Sequence, residues 1–269
     1  STIAYNVARS GAGGLESESG LTVISNSTFS GNSVTDGSIG AIDNTGTMTL
    51  TNSTIAYNTA SAGAGGMASR INSAEGATLT VRNTLFAHNV APALTSPLNS
   101  RDCLSIDENG PAGNIDASNL VGDGTCGDAI QSEHIYMGPL QDNGSSAGSG
   151  QATWTHAIPP YSAAFNAGDN AVCGDAPVNG VDQRGAARPQ YGTCDVGAFE
   201  LMERSQPLFA SLRARLCPMP ELAPVITTWP LIVKSSFRKN SRWSYYRPLP
   251  LTARALRPPS TAITAPVIH

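Results

Sequence analysis

Long apolar runs are missing from this chain. No stretch reaches the roughly 18 residues that a membrane-spanning helix needs. Charge is sparse too: 13% of residues are Asp, Glu, Lys or Arg against 40% apolar, a balance that excludes a disordered polyelectrolyte. Helix-forming runs are few, and aromatics make up only 6%. No C-x-x-C spacing occurs, which argues against a structural zinc site, and no H-E-x-x-H, phosphate-loop or dinucleotide fingerprint is present. No positively charged segment followed by an apolar one marks a signal peptide. The chain opens inside a repeat, which implies a fragment whose start lies upstream, so secretion stays open.

What charge there is falls unevenly. Residues 1–201 hold all 27 glycines and carry 18 acids against 6 Lys/Arg, a net charge of −12. Residues 202–269 have no glycine, 10 of the 18 prolines, and 10 Lys/Arg against 2 acids, a net charge of +8. An acidic body repels phosphate, so nucleic acid is not expected as a partner of 1–201. Two readings of the tail stay open: a flexible basic, proline-rich extension that touches an anionic surface, or a shifted reading frame. Neither gives it a packed core, and both leave it disordered.

The phrase "NSTFSGN" at 26–32 returns as "NSTIAYN" at 52–58 and "NTLFAHN" at 83–89, with "STIAYN" at 1–6 a truncated copy. Asn6, Asn32, Asn58 and Asn89 are spaced by 26, 26 and 31 residues, and Asn26, Asn52 and Asn83 keep the same steps. A period in this range marks a solenoid, propeller or array. Inside a unit the period is two: "MTLT" sets Met48 and Leu50 on one face and threonines on the other, and "LTVR" repeats this with Leu79 and Val81. "LTVISNSTF" carries one extra residue, which reads as a local bulge or a shifted turn. Ile3, Phe29, Ile55 and Phe86 follow the first Asn of each copy, and Leu15, Ile42 and Met67 follow a small-residue stretch. Each unit therefore offers three short strands and cannot bury its apolar side chains alone. Stacking the units about 4.8 Å apart buries them, which is a parallel β-helix, and a propeller blade needs about 40 residues. The asparagines are expected at the turns as stacked amide ladders. The coils span 1–98, and residues 99–201 hold the terminal coils and a cap.

Past residue 92 the repeat decays into "NSRDC", "GNIDASNLVGDGTC", "THAIPPYSAAFNAGDNAVC" and "DQRGAARPQYGTCDVGAFE". The run resembles the C-terminal part of bacterial choice-of-anchor Q domain proteins, with coils like those of chlamydial polymorphic outer-membrane proteins, over about residues 1–200. "DQRG…RP…CDVGAFE" carries the likeness best. The resemblance implies an all-β, right-handed parallel β-helix, in line with the general hand of parallel crossovers. It implies an extracellular or cell-surface location and an attachment device beyond "GAFE", of which the tail shows no sorting motif.

Four of the five cysteines fall as 103/126 and 173/194, in keeping with an oxidising compartment; Cys217 is left over in the tail. Four cysteines allow three pairings; the resemblance implies Cys103–Cys126 and Cys173–Cys194. Asp182, Arg184, Arg188, Asp195 and Glu200 are read as a polar network that fixes an irregular cap over the open end of the stack. The acids of the coils, Glu16, Glu18, Asp36, Asp43 and Glu75, do not recur at the 26-residue step, and neither do Arg9, Arg70 and Arg82. His88 matches Tyr57 and Gly31 beside a turn; His134 and His156 have no Ser or Cys partner in a known motif. No catalytic, cofactor or metal residue is assigned. "DGTCGD" at 123–128 and "GDN" at 168–170 offer oxygens for Ca²⁺ but lack EF-hand spacing. The expectation is a monomeric, non-catalytic structural or adhesive rod whose partner is a cell surface or a carbohydrate. The alternatives are a polysaccharide-active lyase or glycoside hydrolase with catalytic coils upstream, and a carbohydrate-binding module using the Thr/Ser face.

Overall fold

The computed structural model describes residues 1–71, 77–91, 102–107, 114–123, 126–144 and 153–202, all within Ser1–Pro207, the first of two units into which the chain divides. Glu75, Cys217 and the rest of the basic segment beyond Met202 lie outside the described residues.

The described chain is all-β, with parallel sheets and one short helix, Asn170–Gly174. Each repeat gives one strand to each of three sheets. The first stacks Thr2–Ala4, Thr28–Ser30, Thr54–Ala56, Leu85–Ala87, Leu120–Val121 and Ile130–Gln131. The second stacks Leu15–Ser17, Ile42–Asn44, Met67–Ile71 and Cys103–Asp107, and the third Leu21–Ser25, Thr47–Thr51, Leu79–Arg82 and Asn114–Ile115. Register places like on like: Ile3 beside Phe29, Phe29 beside Ile55, Ile55 beside Phe86, Phe86 beside Val121. A register slip of one residue would turn every such side chain outward, so the period-two pattern fixes the pairing. Phe29, Ile42, Met48, Leu50, Ile55, Met67, Leu79, Val81 and Phe86 form one buried core drawn from all three sheets.

The bulge expected in "LTVISNSTF" is absent. Leu21–Ser25 pairs with Thr47–Thr51 without interruption, so Leu21 and Val23 share the outer face with Thr47 and Thr49 and stand 70% and 52% exposed. The extra apolar residue reflects Thr22 taking the inward place that Met48 holds one coil later.

The first sheet differs from the third. Thr47–Thr51 alternates between half-buried and buried over its first four residues, as a strand with a wetted face does; Thr28–Ser30, Thr54–Ala56 and Leu85–Ala87 are buried throughout. A second core explains this. Leu85, Ala87 and Leu120 on the sheet's outer face pack against Ile135, Ile158, Ala164, Val196 and Phe199. The turns also repeat: Asn26, Asn52 and Asn83 hold left-handed backbone at φ 44, 46 and 47°, which asparagine tolerates better than most residues. At Gly40 and Gly65 the next coil's backbone leaves no room for a Cβ.

Candidate functional site

The "DQRG…GAFE" segment lies along the outer side of the first sheet, not over an end of the stack. Gln183 bonds Thr2 and Thr28, the Ala198 amide donates to Thr54 Oγ1, and the Gly197 amide donates to the Asn83 carbonyl. One segment thus touches four successive coils. The reason is the apolar strip of Leu85, Ala87 and Leu120, which the repeat pattern alone leaves on the outside.

Its five charged residues are consumed by one another and by backbone. Arg184 donates two bonds to Asp182 Oδ2, at 2.9 and 2.7 Å, and its guanidinium lies 3.8 Å from the Phe199 ring centroid. Arg188 donates to the Asp195 and Gly197 carbonyls at 2.8 and 2.7 Å and to Glu200 Oε2 at 3.4 Å. Glu200 accepts from the Gln190 and Asp195 amides, and Asp195 from the Asn166 and Leu201 amides. Burial pushes Asp195 and Glu200 above the usual carboxylate range and Arg188 below its own, although Glu200, Asp182 and Asp195 pull Arg188 back. Buried groups bonded this way fix a conformation.

The two asparagine series part company. Asn6, Asn32, Asn58 and Asn89 form a chain in which each backbone amide and side-chain amide donates to the next residue's Oδ1. The chain ends on Asp102, whose Oδ1 accepts both donors of Asn89 while Oδ2 accepts the Gly122 and Asp123 amides. Burial raises Asp102 despite these donors, and the charge of Asp123 adds to the rise. The other series faces the C-terminal segment: Asn26 donates to the Val181 carbonyl, Asn52 to Cys173 Sγ, and Asn83 to the Asp169 carbonyl while accepting from the Asp169 amide. Disulfides join Cys103 to Cys126 and Cys173 to Cys194, with Cα atoms 5.4 and 6.7 Å apart.

His156 does find a serine. Ser30 Oγ lies 2.9 Å from its Nε2, and its Nδ1 lies 2.8 Å from the Gly138 carbonyl. A carbonyl only accepts, so Nδ1 carries the proton and Ser30 donates to Nε2. Burial lowers the pKa of His156, which keeps it neutral. This is the order of a nucleophile, a base and an orienting group. Yet Ser30 is 2% and His156 4% exposed, and the Tyr57 ring sits 5.2 Å from the imidazole. Buried in this way, the pair pins the C-terminal segment to the sheet.

The acids of the coils are placed differently from expectation in one respect. The second sheet steps by 27 residues between its first two strands, so Glu16 and Asp43 become register partners. Asp43 receives two bonds from Arg70, at 2.9 and 2.8 Å. Arg9 pairs with Asp36 and Arg82 with Asp116. Glu18 stands apart from these pairs, its backbone carbonyl accepting from Thr45. Among the described residues no group of three or more His, Cys, Asp or Glu is placed to hold a metal, and no helix is long and apolar enough to cross a membrane. Gly124 and Thr125 of the "DGTCGD" stretch lie outside the described residues, as do residues 145–148 of "GSSAG" at 144–148, a G-x-S-x-G match in a Gly/Ser run.

Several concave surfaces lie among the described residues. A groove of about 620 Å³ opens between Tyr57 and His88 on the coils and Glu133, Tyr136, Met137 and Tyr161 on the C-terminal region. Tyr57 and His88 stack with centroids 5.0 Å apart, and Tyr136 meets Tyr161 edge-on at 5.4 Å and 63°. His88 Nε2 also lies 3.2 Å from the Ile135 carbonyl. Tyr57 and His88 hold φ of 58 and 59°, where the matching residue one coil earlier is Gly31. His134 stands beside Tyr136, 6.3 Å between ring centroids. Tyr5 holds the same repeat position as Tyr57 and His88, with φ 57°, so rings at this turn belong to the repeat.

No protein-family model matches this chain, and neither a curated protein nor a solved structure does.

Proposed function

We propose that this chain is part of an extracellular or cell-surface protein of the choice-of-anchor Q kind, and that it acts as a non-catalytic structural or adhesive rod. The three parallel sheets are the sides of one right-handed parallel β-helix, each repeat being one turn. The observation that carries this reading is where the polar side chains go. The asparagines of the coils bond from turn to turn into Asp102, and the charged residues of "DQRG…GAFE" bond to one another and to backbone. Such bonding stiffens a stack and gives it a single conformation. The two disulfides support an oxidising location. The test is depolymerisation. Full-length chain incubated with pectic, alginate and glycosaminoglycan polymers should release no reducing ends and no unsaturated uronides; release of either would overturn the rod.

A second reading, action on polysaccharide, is favoured by one observation. Glu16, Asp43 and Arg70 share the outer face of the second sheet, with the carboxylates on neighbouring strands. If polymer is cleaved, Glu16→Gln and Asp43→Asn should each abolish cleavage while the β spectrum is kept.

A further inference from the structure

The groove between the coils and the C-terminal region is shaped for a ligand, and its chemistry narrows the class. Its walls are rings and apolar side chains: Tyr57, His88, Tyr136 and Tyr161, with Met137 and Ile158 between them. The one charged carboxylate is Glu133, and no Lys or Arg stands among the described residues that line the groove. Tyr161 is 73% exposed, Tyr136 45% and Tyr57 42%, although one face of Tyr57 stacks on His88 and Tyr136 meets Tyr161 edge-on.

A neutral sugar needs several converging donors and acceptors to replace its water. The polar side-chain groups that line this groove are three tyrosine hydroxyls, the His88 imidazole and the Glu133 carboxylate. A methylated ammonium ion needs no such set of donors and acceptors. Its charge is spread under methyl groups, it is attracted to the negative faces of aromatic rings, and a nearby carboxylate completes the match. The body around the groove, residues 1–201, carries a net charge of −12 and draws cations toward it. We infer that the Tyr57–His88–Tyr136–Tyr161 groove, with Glu133 at its edge, binds a quaternary ammonium group. That group comes either on a small molecule in solution or as the headgroup of a lipid surface. The inference goes beyond the rod and stands whether or not the chain also cleaves polymer.

The test uses the full chain with choline as probe, followed by calorimetry and by chemical-shift changes. Choline should bind saturably with a Kd on the order of 1 mM. Its neutral isostere 3,3-dimethylbutanol should bind roughly tenfold more weakly, because it keeps the shape and loses the charge. Tyr161→Leu, Tyr136→Leu and Glu133→Gln alter exposed side chains, so each should keep the melting temperature and weaken choline by about threefold or more. Phosphatidylcholine vesicles separate the sources. Co-sedimentation that is lost in the same variants assigns a lipid headgroup; choline binding without co-sedimentation assigns a soluble ligand. Failure of choline to saturate, equal binding of the isostere, unchanged affinity in all three variants, or tighter binding of neutral oligosaccharides would each overturn the proposal.

Discussion

Residues 1–91 and residues 126–202 reach order by opposite means. In the first region each side chain meets a copy of itself or a near relative one repeat away, as Phe29 meets Ile55 and Asn32 meets Asn58. In the second, described regular structure dwindles to a few short strands and one five-residue helix, and nothing repeats. Its order rests on named partners: Arg184 with Asp182, Arg188 with Glu200, Cys173 with Cys194, Ser30 with His156. Repetition spreads stability over many equivalent contacts, so one loss is diluted among neighbours. A segment without repeats concentrates it in a few bonds, each of which must be right.

The sharpest way to break this contrast is at Arg188. Its guanidinium is fully buried among the Asp195 and Gly197 carbonyls and Glu200. Arg188→Met would leave Glu200 buried without its cation, a change that costs about 3–5 kcal/mol. Amide exchange should show the protection of 182–200 collapsing while that of 28–30, 54–56 and 85–87 is largely kept. Equal loss in both regions would mean that the coils depend on the segment as much as it depends on them.

The disulfides sharpen the comparison next. Cys173–Cys194 closes a loop inside the non-repeating region, and Cys103–Cys126 ties the last coils together. Cys173→Ser with Cys194→Ser should cost about 2–4 kcal/mol. It should also loosen the contacts of Asn52 and Asn83, whose amides donate to Cys173 Sγ. The urea midpoint of the double variant, followed by circular dichroism, measures this. A midpoint unchanged from the parent chain would place the weight on the Arg–carboxylate network alone.

How much of this was legible beforehand follows the same division. The repeat revealed the inward set Phe29, Ile55, Met48, Leu50, Leu79 and Val81, because side-chain direction in a strand is a matter of parity. It did not reveal that Thr28, Thr54 and Leu85 would be buried on the opposite face. At Thr54 that burial comes from a segment 144 residues away whose docking no local pattern encodes. Parity also misled at Leu21 and Val23, whose apolar character hid an unbroken register. Asparagine spacing pointed to amide ladders in both series, yet the second series bonds mainly the C-terminal segment. Asp102 was invisible as the end of the first, since it stands in a coil whose spacing had already drifted. The groove was illegible for a similar reason: Tyr57 and His88 belong to the repeat, while Glu133, Tyr136 and Tyr161 do not.

Asp102 tests the boundary between the two kinds of order with a smaller effect. Its four N–H donors all require an acceptor. Asp102→Asn keeps one oxygen for Asn89 and turns an NH₂ toward the Gly122 and Asp123 amides, leaving buried donors opposed. The expected cost is about 1–3 kcal/mol, read as a lower urea midpoint with exchange increased first at 86–91 and 120–123. Asn58→Ala removes a link from the middle of the chain and should perturb 29–32 and 89 instead. If both variants loosen the same amides, the asparagine chain acts as one unit and Asp102 is not its anchor.

The weakest effect is that of pH, and its sign separates burial from hydrogen bonding. Burial holds Asp102, Asp195 and Glu200 above the ordinary carboxylate range. The folded state then binds protons that the unfolded chain has already released at about pH 4. Stability contributed by these groups is complete below that value and is lost as pH rises through the raised folded values. These carboxylates lower the urea midpoint as pH is raised from about 4 toward neutrality, while His156, whose pKa burial lowers, raises it, so the contribution of Asp102 is read as a midpoint that falls more in the parent chain than in Asp102→Asn. A midpoint that falls less in the parent chain than in Asp102→Asn would mean that the N–H donors around Asp102 outweigh burial. The network would then be held together by ionised groups, as the geometry of four donors on Asp102 by itself would have it.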